Sequence, residues 1–252
     1  MTPGTVVVGY LDDGHWSACF GLSYRDLLLH DAGHSRRIIR PGGKEIRIPV
    51  GTGQIAAGRN RVVRDFLEQT DGEWLLMVDT DMGFAPDTVD RLVAAADPGE
   101  RPVVGALCFA ACREGEPTPL HGELFSIRPT VYTWASDGTG SGFWPVLNYG
   151  RGGLARVDGT GAACLLIHRT ALEKVADRYG PAWFDPMPAD GSARWFSEDL
   201  SFCLRLREAG IPLHVDTSVK TAHHKGVLFL DEDAFDRQQA LIMLAEVACG
   251  SR

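Results

Sequence analysis

The sequence predicts an α/β fold in which a mostly parallel central sheet is flanked by helices. Strongly apolar segments that indicate buried strands occur at residues 5–10, 74–78 and 102–107. Segments with helical spacing of apolar residues lie between them, so strands and helices alternate along the first half of the chain. With 252 residues, of which 44% are hydrophobic, the chain is long enough to bury one sizeable core.

The first elements establish this alternation. A run of valines makes residues 5–10 a buried strand, and residues 24–30 are typical of a helix. Residues 36–50 have strand character, which a Pro-Gly-Gly sequence at 41–43 interrupts. Residues 56–69 predict a helix because their apolar side chains fall on one face.

The central part of the chain continues the pattern. Residues 74–78 form the second strongly apolar strand, and Pro86 suits the first turn of the helix that follows it. Residues 102–107 predict another buried strand. The glycine-rich segment 136–161 predicts either a solvated loop or a mobile flap over a site, because long loops in compact domains tend to be functional.

The last elements complete the fold. In order they are a strand at 162–168, helices at 170–179 and 197–209, a strand at 213–221 and a terminal helix from 231. Ser197 suits an N-cap and Gly210 suits the position after a C-cap. The acids at 231–233 favour a helix start because they lie at its positive end.

Composition limits the class of protein. The net charge of −8 argues against a general affinity for nucleic acid. No apolar run approaches the roughly 20 residues needed to span a bilayer, and no signal peptide is recognisable. The six cysteines form no CxxC pair, so we expect reduced thiols in a cytoplasmic protein without stable membrane association. We expect a single domain over 1–252, with parts at about 1–112, 113–230 and 231–252.

Two carboxylates follow the strand at 74–78. Asp79 and Asp81 are two positions apart, so on an extended chain they point the same way and can reach one cation together. A divalent ion held by a few carboxylates keeps coordination sites for a phosphorylated substrate. Aspartates also cap turns after strands. The long apolar strand before the pair favours the metal site.

A second acidic pair, Glu198-Asp199, directly follows Ser197. The helix dipole and the free N–H groups at that end favour ionised carboxylates. A positioned carboxylate can accept a proton from an attacking hydroxyl. Taken alone, the pair is explained more simply as a means of stabilising the helix start.

Basic and imidazole side chains follow the strand at 213–221. His223 can ligate a metal as a neutral imidazole, although His224 beside it makes the assignment ambiguous by one residue. Lys225 adds positive charge that suits a phosphate or only solvent. Arg59 and Asn60, near the start of an earlier helix, either touch a ligand or bracket a loop.

Three other interpretations have weaker support. Residues 51–56 match GxGxxA between a strand and a helix, as dinucleotide binding requires, but a Rossmann unit normally begins with that strand. The spacing of the two aspartates also suits haloacid-dehalogenase phosphatases, which usually place the pair on the first strand. Cys108 and Cys112 with His121 have poor spacing for zinc.

Together the motifs resemble the GT-A fold glycosyltransferases, especially the family 2-like enzymes and their bacteriophage-encoded relatives. The resemblance runs from about residue 6 to residue 226, and four segments carry it in order. They are Ala57 to Arg61, with Gly58 in place of the usual Ala; Trp74 to Phe84, with the DxD pair; the glycine-rich strand Gly159 to Ile167; and the ED helix, Ser197 to Cys203. The turn at 10–16 departs from the family pattern and leaves the nucleotide open.

The resemblance implies a Rossmann-like GT-A sheet and metal-dependent transfer of a sugar from a nucleotide-sugar donor to an acceptor hydroxyl. Asp79 and Asp81 would hold Mn²⁺ or Mg²⁺ on the diphosphate, and His223 would complete the metal shell. Asp199 would be the base of an inverting reaction, and Glu198 would orient the acceptor. The donor-binding residues would be Arg59, Asn60, Asp79, Asp81 and Lys225.

The resemblance also sets expectations for partners. The donor would be a UDP- or GDP-sugar, and the acceptor a protein side chain ahead of a modified DNA base or a small molecule. A phage-encoded enzyme of this kind would act in the host cytoplasm. Two rival functions remain: a nucleotidyltransferase that acts on a sugar phosphate, and a non-catalytic nucleotide- or carbohydrate-binding module.

Overall fold

The computed structural model describes residues 2–51, 53–113, 125–136, 140–189, 195–226 and 228–250. Each of these ranges contains strands. They are β1 (Thr2–Asp12), β2 (Ile46–Pro49), β3 (Gly72–Val78), β4 (Met82–Phe84), β5 (Val103–Leu107), β6 (Phe109–Arg113), β7 (Phe125–Pro129), β8 (Val131–Ser136), β9 (Ser141–Pro145), β10 (Leu154–Val157), β11 (Gly159–Thr160), β12 (Cys164–His168), β13 (Leu213–Lys225) and β14 (Leu228–Leu230).

The α-helices alternate with these strands. They are α1 (Ala18–Gly33), α2 (Ile55–Gln69), α3 (Thr88–Ala95), α4 (Arg169–Tyr179), α5 (Glu198–Glu208) and α6 (Glu232–Gly250). The predicted helices therefore exist, and α1 is longer than expected at both ends. Among the described residues, none of these helices combines the length and apolar character that crossing a bilayer requires.

The central sheet separates two layers of helices. Successive side chains of a strand point to opposite faces, and β1 shows the consequence. Val7 packs into a core with α2, α4 and α5, whereas Val6 and Val8 pack into a second core with α1 and α3. Because both faces are covered, the strands are apolar at nearly every position, which explains why their sequences read as continuous apolar runs.

The sheet is mixed rather than mostly parallel in its pairing. The main path runs β10-β13-β5-β12-β3-β1-β2. Strands β1, β2, β3, β5 and β13 point the same way, but β12 lies between β3 and β5 and is antiparallel to both. β10 is antiparallel to β13 at the edge. A buried strand has the same apolar composition in either direction, so the sequence did not indicate the reversal.

The described part of the glycine-rich segment 136–161 includes strands β9, β10 and β11 as well as an irregular stretch at 146–153, so the predicted loop is correct only in part. β8 and β9 form an antiparallel pair in which Trp134 lies opposite Phe143, with ring centroids 5.0 Å apart. β10 joins the central sheet and β11 pairs with β8. Cross-strand aromatic contacts of this kind stabilise a sheet despite the glycines around them.

Two strand boundaries also differ from expectation. The predicted strand at 36–50 is limited to β2, because residues 31–38 turn around the Asp31 carboxylate, which accepts the N–H groups of Arg37 and Ile38. At the other end of the chain, β13 continues to Lys225, where β4 and β14 pair with it. His223 therefore lies inside a strand rather than after one.

Candidate functional site

A cleft of about 830 Å³ opens at the carboxyl end of the parallel strands. Its walls come from the residues that follow β1 and β3, from the end of β13, and from the first turns of α2 and α5. The carboxyl ends of parallel strands are where open α/β sheets generally bind ligands. Five of the residues selected from the sequence line this cleft: Arg59, Asp79, Asp81, Glu198 and Lys225.

Asp79 begins the turn between β3 and β4. Its N–H donates to Ala163 O at 3.0 Å, and its carbonyl accepts from the N–H of Met82 at 3.2 Å. Its side chain accepts a hydrogen bond from Arg59 Nη2 at Oδ1, at 2.9 Å. The backbone and the side chain of Asp79 are therefore both fixed at the base of the cleft.

Arg59 connects the two acidic motifs. Its side chain is buried, and Nη1 donates to Ala162 O at 3.3 Å. While Nη2 bonds Asp79, Nε lies 3.6 Å from Glu198 Oε1. A buried guanidinium requires partners for its charge, and the carboxylates of Asp79 and Glu198 provide them. Arg59 thus holds the DxD turn and the start of α5 together.

The two carboxylate oxygens of Asp81 differ in their hydrogen bonding. Oδ2 lies 3.1 Å from His223 Nε2 and accepts from Lys225 Nζ at 2.7 Å. Oδ1 is buried and has no hydrogen-bond partner among the described residues. Burial raises the pKa of Asp81, but the bonds and charges of His223 and Lys225 outweigh burial and bring that pKa to about 2. Asp81 is therefore an anion, and one of its oxygens receives no hydrogen bond from the described residues.

His223 faces an acceptor with each ring nitrogen. Nδ1 lies 3.1 Å from Phe109 O, and Nε2 lies 3.1 Å from Asp81 Oδ2. A neutral imidazole has only one N–H, so it satisfies only one of these contacts. The second contact becomes favourable if the ring is protonated or if a cation sits at Nε2. Metal-bound histidines commonly donate their other N–H to a backbone carbonyl in this way.

Asp81 and His223 offer donor atoms of the kind that bind a divalent cation. The buried Oδ1 of Asp81 lacks a partner, and His223 presents a nitrogen oriented by Phe109. Carboxylate oxygens are ligands that suit Mg²⁺ and Mn²⁺, and a neutral imidazole is a common metal ligand. Within the described residues, however, no three acidic, histidine or cysteine side chains already converge as a metal-binding group. Arg59 and Lys225 instead hold Asp79 and Asp81.

The two acids of the ED pair, Glu198 and Asp199, lie in different environments. Glu198 lines the cleft, and burial followed by the charge of Asp199 raises its pKa, which Arg59 only partly offsets. Asp199 Oδ1 accepts hydrogen bonds from Ser197 Oγ and from the N–H of Leu200. Ser197 occupies the N-cap as expected, but its side chain makes no capping bond to the backbone. Asp199 is not among the lining residues of the cleft.

Asn60 lies away from the cleft, despite its selection as a donor-binding residue. Its Nδ2 donates to Asp185 Oδ1 at 2.6 Å, and its Oδ1 accepts from the N–H of Phe184 at 2.8 Å. Asn60 therefore brackets the loop after α4, the alternative role that the sequence left open. Of the weaker interpretations, the zinc set includes His121, and the GxGxxA match includes Thr52; both lie outside the described residues.

The sequence did not identify the aromatic wall of the cleft. Trp16 lines it with 41% of its surface exposed, and its ring packs edge-on against Phe20 with centroids 5.0 Å apart. Ile55, at the start of α2, is also exposed there. His224 completes the rim, stacked on Phe229 at 4.3 Å. The one indication of this wall in the sequence was a tryptophan in a polar turn after the first strand.

Comparisons with known proteins give the fold and no family. No protein-family model matches the chain. No curated protein matches it either. Among solved structures, the crystal structure of A197 from STIV is similar, with a TM-score of 0.55, 17% sequence identity and 91% of each chain covered. At this identity the likeness supports the mixed α/β architecture over most of the chain.

Proposed function

We propose that the protein is a GT-A type glycosyltransferase that transfers a sugar from a UDP- or GDP-sugar to an acceptor hydroxyl with the help of a divalent cation. The proposal goes beyond the fold, because one fold supports many functions. It depends on the chemistry of the cleft, where acidic, imidazole and cationic groups meet at the ends of the strands.

The observation that carries the proposal is the environment of Asp81. Its carboxylate keeps one buried oxygen without a partner among the described residues, beside an imidazole whose Nε2 faces the other oxygen. Buried polar atoms normally have partners. A cation bound by these groups would satisfy both Asp81 and His223, and a phosphorylated ligand is the usual reason to bind one in such a cleft.

Residues that line the cleft, together with His223 beside Asp81, have roles in this reaction. Asp79, Asp81 and His223 would hold Mn²⁺ or Mg²⁺, which when bound supplies Lewis-acid stabilisation of the leaving diphosphate. Arg59 keeps Asp79 in place through its 2.9 Å hydrogen bond. Lys225, at the rim, offers an ammonium to the phosphates. The charge that develops on the leaving group is thereby balanced by groups that are already positioned.

The opposite wall suits a nucleoside. Trp16 and Ile55 present exposed apolar surface within the cleft, and an aromatic face can stack on a nucleobase. Asp13 and His15 lie beside Trp16 in the same wall. These polar groups are suited to hydrogen bonds with a ribose or base.

Asp199 is the proposed base. It lies at the start of α5, next to Glu198, which reaches the cleft. An inverting reaction requires a carboxylate on the acceptor side to take the hydroxyl proton as the sugar–phosphate bond breaks. Glu198 would then orient the acceptor. The acceptor class remains the one expected from the resemblance, a protein side chain ahead of DNA or a small molecule.

A thermal-shift panel tests the donor and the metal together. Purified protein is heated with UDP, GDP, CDP or ADP, each with Mn²⁺ and with EDTA. We expect one nucleotide to raise Tm with Mn²⁺ and to have little effect with EDTA, because a ligand that binds only the folded state stabilises it. Asp81→Asn should remove this shift. Asp90→Asn, a change in a carboxylate outside the cleft that pairs with Arg37 and His30, should keep it.

The rival functions give different results. A nucleotidyltransferase would respond to nucleoside triphosphates and release pyrophosphate when given a sugar phosphate. A non-catalytic module would bind the nucleotide with Mn²⁺ and leave every nucleotide-sugar intact. If no diphosphate shifts Tm in a metal-dependent way, the proposed function is wrong.

A further inference from the structure

Lys225 occupies the position from which it can compete with a cation. Its Nζ donates to Asp81 Oδ2 at 2.7 Å, and it comes from the last position of β13. The side chain is 53% exposed, whereas that of Asp81 is 28% exposed. An ammonium at the rim of the cleft thus reaches inward to a carboxylate that the proposed function assigns to the metal.

An ammonium and a divalent cation repel each other strongly at this separation. Both would sit on the same carboxylate, whichever oxygen the ion takes, so only a few ångströms would separate them. Salt screens their repulsion only in part, because the Asp81 side chain is partly buried and the two charges would be well within a Debye length of each other. Lys225 must therefore leave Asp81 before an ion binds there tightly.

The Lys225 side chain can move away from Asp81, and a bound diphosphate would give it another anion to contact. Its flexible four-carbon stem carries a compact charge that adapts to new partners. Gly226 follows it with φ of +61°, in the left-handed region that glycine adopts without strain. Both residues line the cleft. A diphosphate bound in the cleft would offer the ammonium two anionic groups in place of one carboxylate oxygen.

We infer that Lys225 is a resident counter-ion of Asp81 that disfavours metal binding to the empty protein and transfers to the phosphates of the donor, so that metal and nucleotide bind cooperatively. This inference rests on the proposed function and adds an order of assembly to it. The ion binds weakly alone and tightly with the nucleotide. By linkage, the nucleotide gains affinity by the same factor when the ion is present.

The coupling is measurable without turnover. Free Mn²⁺ is titrated by electron paramagnetic resonance with wild type, Lys225→Gln and Lys225→Arg, first alone and then with saturating UDP or GDP. We expect Lys225→Gln to bind Mn²⁺ alone about tenfold more tightly than wild type, within the usual range of coupling factors. The enhancement by nucleotide should shrink by a similar factor. Lys225→Arg retains the charge and should bind Mn²⁺ alone as weakly as wild type.

Two outcomes separate this inference from the proposed function. If nucleotide enhances Mn²⁺ binding equally in wild type and Lys225→Gln, and both bind Mn²⁺ alone with the same affinity, the counter-ion role is overturned while the metal site stands. If neither protein binds Mn²⁺ with any nucleotide, both the site and the inference are overturned. Circular dichroism of the three proteins verifies that each is folded.

Discussion

Arg59 Nη2 donates a 2.9 Å hydrogen bond to Asp79 Oδ1 from a guanidinium that is almost entirely buried. The same side chain approaches Glu198 from the other side. One arginine of α2 therefore sets the distance between a carboxylate at the end of β3 and another at the start of α5. These two carboxylates are far apart in sequence, and the contact explains how both come to line one cleft.

Removing this arginine should destabilise the protein. In Arg59→Met, Asp79 and Glu198 lose their shared cation and remain partly buried, with 28% and 22% of their side chains exposed. Breaking a buried ion pair by removing one partner typically costs about 3 kcal/mol or more. We expect a loss of about 3 kcal/mol in the free energy of unfolding, measured by urea titration at pH 7.

Arg61 is the matched control for this substitution. It lies on the same helix, is 57% exposed and pairs with Asp65 four residues later. Exposed pairs of this kind contribute about 0.5 kcal/mol or less. Arg61→Met should therefore leave the unfolding midpoint nearly unchanged. Equal losses for the two variants would show that Arg59 has no special structural role.

Glu198→Gln should stabilise the protein at neutral pH, although it removes one partner of Arg59, because burial and the charge of Asp199 outweigh the attraction of Arg59. The pKa of Glu198 is raised above its ordinary value of 4.5, so the folded state binds its proton more tightly than the unfolded state. The protonated carboxyl of Glu198 therefore contributes to the stability of the fold at pH values below its pKa in the unfolded state. This contribution is lost as pH rises through its pKa in the folded state. Glutamine stays neutral, so the Tm of the variant should exceed that of wild type at pH 7. The difference should vanish near pH 4. A Tm below wild type at pH 7 would contradict this.

The two acids of the ED pair should differ in catalysis. Asp199→Asn should retain the metal-dependent Tm shift with nucleotide and lower the rate of sugar transfer by about 10²- to 10⁴-fold, the usual contribution of a general base. Glu198→Gln should raise KM for the acceptor more than it lowers kcat. Both are measured by release of the nucleoside diphosphate from its sugar. If only Glu198→Gln abolishes transfer, the base is Glu198, which is the acid that faces the cleft.

The segments 5–10, 74–78 and 102–107 were predictable because a strand buried on both faces must be apolar throughout. The neighbours and the direction of each strand were not predictable, because an apolar run carries no information about which strand lies beside it. The central antiparallel position of β12 is the clearest example. The strands within the glycine-rich segment 136–161 were missed for a related reason, because the aromatic residue that Phe143 faces lies on another strand.

Like the fold, the site was predictable from the sequence only in part. Asp79, Asp81, Glu198 and Lys225 could be found because their residue types and spacings suit metal and phosphate chemistry, and all four line the cleft. The role of Arg59 as a link between the two acidic motifs could not be found, because it depends on the packing of α2 against two other elements. Asn60 is also a polar residue of a type that binds ligands, but its side chain donates to Asp185 in the loop after α4.

Gly58 should not tolerate a side chain, although the family that the sequence resembles usually has alanine there. A Cβ at this position would lie 2.6 Å from Val50 Cγ1 and 2.9 Å from a methyl of Leu11. Overpacking of this kind typically costs about 1–3 kcal/mol. The higher helix propensity of alanine offsets about 1 kcal/mol of this cost, so we expect Gly58→Ala to lower the free energy of unfolding by up to about 2 kcal/mol. Because Val50 and Leu11 also line the cleft, nucleotide binding should weaken as well.

Gly21 provides the control for Gly58. It lies within α1, and a Cβ there would meet no atom within 4 Å. Alanine has a higher helix propensity than glycine by about 1 kcal/mol. Gly21→Ala should therefore stabilise the protein in the same urea titration. A stabilised Gly58→Ala would show that Val50 and Leu11 move aside easily.

The insertion of β12 between β3 and β5 has a consequence for attempts to shorten or recombine the gene. β12 supplies the partner for one edge of each neighbour, and the Asp79 N–H is bonded to Ala163 just before it. A fragment that stops at residue 112 would leave two apolar strands with open backbone edges, which is a recognised route to aggregation. The parts of the chain before and after residue 112 are therefore expected to be inherited, swapped or expressed only together.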